Sequence, residues 1–122
     1  MAKGYNIAYS ADKLLDYTLL ICGKKEAKTP RFPRLLYNSY VENIINEVCN
    51  VVRYVVLANE NENDIRIEYI ENVISSCIIL NHYIRVAAKR GWISIKQNET
   101  WLEKINNVQT QAYKWRNYTQ NK

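Results

Sequence analysis

The stretch Ser94-Ile95-Lys96-Gln97-Asn98-Glu99-Thr100-Trp101-Leu102-Glu103-Lys104-Ile105-Asn106-Asn107-Val108-Gln109-Thr110-Gln111-Ala112-Tyr113-Lys114-Trp115 decides the fold. It opens with S-x-x-Q, a capping box in which the Ser94 hydroxyl and the Gln97 amide each satisfy a backbone N–H of the first turn. From there Asn98, Trp101, Leu102, Ile105, Val108, Gln109, Ala112 and Trp115 recur at steps of three and four. That spacing places them along one face of a helix.

Three more helical segments precede it. From about Tyr9 to Cys22, the residues Leu14, Leu15, Leu19 and Cys22 are read as one apolar face. A basic connection follows from Lys24 to Arg34, and Pro33 suits the first turn of the next helix, where a missing N–H costs nothing. That second helix runs to about Ala58, with Val41, Ile44, Ile45, Val48, Cys49, Val52, Val55 and Val56 as its stripe. Its β-branched run alone would permit a strand, but the three-and-four spacing persists for over twenty residues and favours helix. Asn59 to Asp64 is a polar turn with residues suited to N-capping, and its acids suit the positive start of a third helix. Ile67, Ile70, Ile74, Cys77, Ile78, Ile84 and Ala88 mark one side of that helix. It ends at Gly91, with Lys89 and Arg90 in the last turn, where cations are favoured. The expectation is one all-α domain over residues 9–118, an antiparallel up-down four-helix bundle with turns near 23–33, 58–64 and 90–95.

Composition agrees. At 122 residues, 48% hydrophobic and 24% charged, the chain has the balance of a single globular domain and not of a disordered one. Three glycines and two prolines are too few for the turns of a β-rich fold. No apolar run reaches the length of a membrane span, and the N-terminal residues lack the apolar core of a signal peptide, so a cytoplasmic, membrane-free protein is expected. Cys22, Cys49 and Cys77 are odd in number, far apart and set in apolar surroundings, and are expected to be buried reduced thiols.

Catalytic chemistry has little to build on. His82 is the one histidine, and Ile79 stands three before it, where a di-iron bundle would carry glutamate. The Arg-x4-6-His motif of helical-bundle RNases would need arginine at Cys77, Ser76 or Ser75. Cys77 lies five residues from His82, off the same helix face, and Gly4, Gly23 and Gly91 are isolated, so neither a Cys–His pair nor a phosphate loop is available. No enzyme, cofactor or metal site is expected.

Charge is more informative. The net charge is +5 and the pI near 9.1. Lys24, Lys25, Lys28, Arg31 and Arg34 face only Glu26 between residues 24 and 34. Arg85, Lys89, Arg90 and Lys96 have no acid among them between 85 and 96, whereas Glu60, Glu62, Asp64, Glu68 and Glu71 make residues 60–71 acidic. Such basic groups either solvate turns or bind a polyanion. Trp101 and Trp115, on the apolar stripe, read as core or interface. Trp92, in a tight turn beside Arg90, reads as more open.

Several of these segments occur together in one known family. Thr29-Pro30-Arg31-Phe32-Pro33-Arg34, Leu80-Asn81-His82-Tyr83-Ile84-Arg85-Val86-Ala87-Ala88, Ile93-Ser94-x-Lys96-Gln97 and Trp115-Arg116 stand in the order found in a four-helix-bundle family. The sequence thus resembles the accessory variability determinant (Avd) proteins of diversity-generating retroelements, whose relatives include bundle proteins encoded in ribosomal RNA intervening sequences. The resemblance covers roughly residues 9–118. It implies a basic, barrel-shaped homopentamer without catalytic activity that binds RNA or DNA and the element's reverse transcriptase during mutagenic copying of a template RNA. An intervening-sequence-type bundle with an RNA- or protein-interaction role is the alternative. Of the family's two third-helix arginines, Arg85 matches the second and Asn81 replaces the first.

The residues expected to meet phosphates are Lys24, Lys25, Lys28, Arg31, Arg34, Arg85, Lys89 and Arg90. In an up-down bundle the first connection and the third turn share a pole, so these groups become neighbours, and the acidic turn falls at the opposite pole.

Overall fold

The computed structural model describes residues 5–23 and 31–121. Helix α1 spans Tyr5–Cys22, α2 Glu42–Asn59, α3 Asn63–Lys89 and α4 Ile95–Gln120. Among the described residues there is no strand, and the β-branched run of α2 is helical throughout. Each helix packs on the one before it, and α1 closes against α4. A single core results, with buried residues from all four helices, as a four-helix bundle requires. Among the described residues no helix is long and apolar enough to cross a membrane.

Helix α4 follows its sequence closely. Ser94 caps it, its hydroxyl accepting from Gln97 N–H at 3.0 Å while Ser94 N–H donates to the Gln97 side chain at 2.8 Å. Trp101, Ile105, Val108, Ala112 and Trp115 are buried, and Asn98, Leu102 and Gln109 lie half-buried at the margins of the stripe.

Helix α1 is rotated from its expected face. It buries Ile7, Ala11, Leu14, Thr18 and Ile21, along with Cys22, while Leu15 is half-buried and Leu19 exposed. The cause is a polar group in the core. Trp101 Nε1–H donates to Thr18 Oγ1 at 3.0 Å, and the Thr18 hydroxyl donates to the Leu14 carbonyl at 2.8 Å. A hydroxyl satisfied on both sides can be buried, so threonine holds the seam and Leu19 faces out.

The chain enters α2 less simply than one continuous helix. Pro33 is extended, Arg34–Leu36 form a 3-10 turn and Tyr37–Val41 a π-helical turn before α2 begins. Ile44, Val48, Val51, Val55 and Ala58 form the buried stripe of α2. Ile45 and Val52 stand one position off it and are half-buried, while Cys49 and Val56, one position further round, are exposed. The burial expected for Cys49 is therefore corrected. Two buried thiols remain, Cys22 and Cys77.

The turn into α3 is built differently from the capping expected of it. Glu62 stands at the N-cap with no side-chain cap, and Asn63 takes a left-handed φ of 58°, which asparagine tolerates better than most residues. The α2 carbonyls are covered instead: Asn61 Nδ2 donates to Leu57 O at 2.7 Å, and buried Arg66 donates through Nε to Ala58 O at 2.9 Å. Arg66 also lies over the Trp115 ring at 5.5 Å, which ties the α2–α3 turn to the last turns of α4. Along α3, Ile70, Ile74, Cys77 and Ile84 are buried as the spacing predicts, joined by Val73, Leu80 and Ala87, while Ile67 and Ala88 are half-buried and Ile78 exposed.

Pairings between α2 and α3 recur at even intervals. Tyr40, just before α2, stacks on Tyr83; Glu47 accepts from the Ser76 hydroxyl at 2.6 Å; Tyr54 stacks on Tyr69. Between α1 and α4, Gln111 donates to Ser10 and Trp101 to Thr18.

Two outcomes follow for the core. Ile44 and Ile105 are fully buried, so Ile44→Ala and Ile105→Ala should each cost about 2–5 kcal/mol in urea unfolding. Burial pushes the Cys22 thiol up to about 12, and burial together with the nearby Glu47 carboxylate does the same to Cys77. Unfolded thiols ionise near pH 8.5. The folded state therefore keeps protons that the unfolded chain releases, and stability should fall as pH rises from about 9 toward about 12. At neutral pH a thiol reagent should label Cys49 at once, and Cys22 and Cys77 only as fast as the chain unfolds.

Candidate functional site

Helix α3 ends in a Schellman arrangement. Gly91, with φ of 80°, donates its N–H to Ala88 O at 3.0 Å, and Trp92 N–H donates to Ala87 O at 2.9 Å. Those two bonds fix where the Trp92 side chain starts. Its indole meets Phe32 at 5.9 Å between ring centroids and Tyr40 edge-on at 5.4 Å. Tyr40 in turn packs on Phe32 and Tyr83, and its hydroxyl donates to the Tyr83 carbonyl at 2.6 Å. Burial and the neighbouring Tyr83 raise the Tyr40 pKa, so that hydroxyl keeps its proton and its donor role. Phe32 is buried, within a segment that the sequence shows only as a basic connection.

This aromatic cluster joins two basic segments that are about sixty positions apart in sequence. Arg31 precedes Phe32 and Arg34 follows it by two, and both are exposed. Arg90 is exposed as well, with its guanidinium over the Trp92 ring at 5.9 Å. Lys89 and Arg85 are exposed on the final turns of α3. Among the described residues none of Arg34, Arg85, Lys89 and Arg90 has a carboxylate partner. Lys24, Lys25 and Lys28 lie outside the described residues.

Arg85 also borders an open groove between α3 and α4 of about 270 Å³, lined by Ile78, Asn81, His82, Asn106 and Gln109. Asn81 donates Nδ2 to the Cys77 carbonyl at 3.1 Å. Three amides, an imidazole and one guanidinium suit hydrogen bonding to a polar strand better than they suit catalysis. A second groove, of about 350 Å³, is lined by Asp12, Lys13, Asp16, Tyr17, Leu20 and Lys104. Two acids and two lysines give it no net preference for an ion of either sign. Among the described residues no three of His, Cys, Asp or Glu converge as metal ligands.

Aromatic residues beside both basic segments were the available signal for the cluster, but sequence alone could not pair Phe32 with Trp92. The groove residues His82, Asn106 and Gln109 carried no signal beyond their polarity. No protein-family model, curated protein or solved structure matches the chain.

Proposed function

We propose that this protein is a non-catalytic scaffold that binds RNA or DNA through phosphates, at the surface where the first connection meets the α3–α4 turn. The observation that carries the reading is the Phe32–Trp92 contact, which joins the segment bearing Arg31 and Arg34 to the end of α3 bearing Lys89 and Arg90, while Arg85 borders the α3–α4 groove. Exposed cations on adjoining segments favour a polyanion by releasing its counterions, with little preference for base sequence. The acids Glu60, Glu62, Asp64, Glu68 and Glu71 are gathered around the other end of α3, where they repel the same ligand.

The finer architecture belongs to this reading too. The recurring pairs Tyr40–Tyr83, Ser76–Glu47 and Tyr54–Tyr69 support an antiparallel, up-down arrangement. Exposed Leu19, Leu20, Val56, Ile79 and Val86 leave apolar flanks that favour assembly. Together with the Avd resemblance they support a cytoplasmic homopentamer that holds a reverse transcriptase and its template RNA together in a diversity-generating retroelement. A second reading, the intervening-sequence-type bundle, is favoured by Asn81, whose amide is turned back to its own helix where the family has a second arginine.

Two measurements test the proposal. Binding to unrelated oligonucleotides should weaken steeply with salt, and the combined change Arg34→Glu, Arg85→Glu, Lys89→Glu and Arg90→Glu should abolish it at all of them. Affinity that ignores salt or survives the fourfold reversal would overturn the phosphate reading. Light scattering at micromolar concentration should give the mass of five chains, and a monomeric mass would remove the pentamer. A reverse-transcriptase gene and template repeat beside this gene would separate the retroelement reading from the intervening-sequence one.

A further inference from the structure

We propose that the nucleic acid bound is an unpaired strand, and that Arg90 and Trp92 hold one of its bases by stacking. This rests on the phosphate-binding reading above and goes beyond it, since phosphates alone do not distinguish a strand from a duplex.

Trp92 is half-buried, and its position is fixed from several directions. The Schellman bonds set its backbone, buried Phe32 lies against its ring, and Tyr40 abuts it edge-on, itself held by its bond to the Tyr83 carbonyl. The indole is therefore a rigid platform. Arg90 is its solvent-facing partner: exposed, without a carboxylate among the described residues, and with its guanidinium over the indole. A flat cation over an indole presents a second flat surface to solvent, and a nucleobase can stack on the guanidinium or take its place on the ring. Lys89, next to Arg90, and Arg34, two residues after Phe32, are exposed cations that can meet the phosphates of that strand. In a duplex the base faces are already occupied by their neighbours. An unpaired strand offers them freely, and stacking on an aromatic tolerates any base.

The protein also supplies its own probe. Trp101 is 0% exposed and Trp115 6%, so quenching of tryptophan fluorescence by an added strand reports on Trp92. The test compares oligo(dT), an abasic phosphodiester strand of equal length, and an oligo(dA)·oligo(dT) duplex, all at one salt concentration. Oligo(dT) should quench and bind about tenfold more tightly than the abasic strand. Trp92→Phe should remove the quenching. Arg90→Lys keeps the charge and loses the flat guanidinium, and as an exposed change it leaves the fold intact. It should erase the advantage of oligo(dT) over the abasic strand. If the abasic strand and the duplex bind as tightly as oligo(dT), or Arg90→Lys changes nothing, stacking is refuted and phosphate binding stands. If none of the three ligands binds, the phosphate reading fails and stacking fails with it.

Discussion

The contact between Phe32 and Trp92 governs what the surface of this protein can be. Trp92 starts from a glycine-dependent helix end, and Phe32 is the one buried residue among the described positions 31–36. Removing Phe32 and part of Trp92 from water is favourable, and apolar burial of this kind has no intrinsic sense of charge. Yet Arg31 and Arg34 lie one and two positions from Phe32, and Arg90 two before Trp92, and all three arginines are exposed. Packing these two rings together thus joins the segments that carry Arg31, Arg34 and Arg90 without any attraction between the charges. Any repulsion between those charges is a cost that the hydrophobic contact offsets.

A second constraint decides which helices pack together. Ile and Val stripes are largely interchangeable partners, because apolar packing rewards volume and pattern more than identity. Polar groups in or near the core are not interchangeable. The Trp101 indole needs an acceptor and finds it in Thr18, which ties α4 to α1. Arg66 needs acceptors and finds the Ala58 carbonyl, which ties the start of α3 to the end of α2. The Ser76 hydroxyl donates to Glu47, again across α2 and α3. Any other pairing of stripes would leave these groups buried and unsatisfied, a penalty large on the scale of a domain's net stability.

The same polar groups set the limit of what the sequence disclosed. Where one period runs unbroken and the cap is explicit, as in Ser94 to Trp115, the helix, its start and its buried face were all legible. In α1 the face was misjudged, because a threonine counts as polar until its hydroxyl is known to have two partners, and Leu19 then appears to belong inside. In α2 the apolar residues are abundant enough to form two adjacent stripes one position apart. Only packing decides that Val51 and Val55 go inside while Cys49 and Val56 stay out. The 3-10 and π-helical turns before α2 left no trace in the pattern, since they arise from fitting Phe32 and Tyr40 against Trp92 and Tyr83. Of the candidate site, the charges were legible and their neighbourhood was inferred from topology. The aromatic contact that carries it depends on a pairing across sixty residues, which local periodicity does not encode.

The placement of apolar and charged residues also bears on how assembly and binding would cooperate. The exposed aliphatic residues Leu19, Val56, Ile79 and Val86 lie along the helix bodies, whereas Arg31, Arg34, Lys89 and Arg90 lie at the connections. Chains that associate through their flanks leave their ends in solvent, so association would bury the aliphatic residues without covering the cations. It would set several basic ends side by side, and their combined field grows with the number of chains while each site's chemistry is unchanged. A strand spanning two such ends gains from the second contact without a new entropic cost of encounter, which raises its affinity well above that of one chain. Disrupting the flanks should therefore weaken nucleic-acid binding even with every cation in place. A Val56→Asp, Ile79→Asp variant tests this: it should sediment as a monomer and bind oligo(dT) at least about tenfold more weakly than the assembled protein.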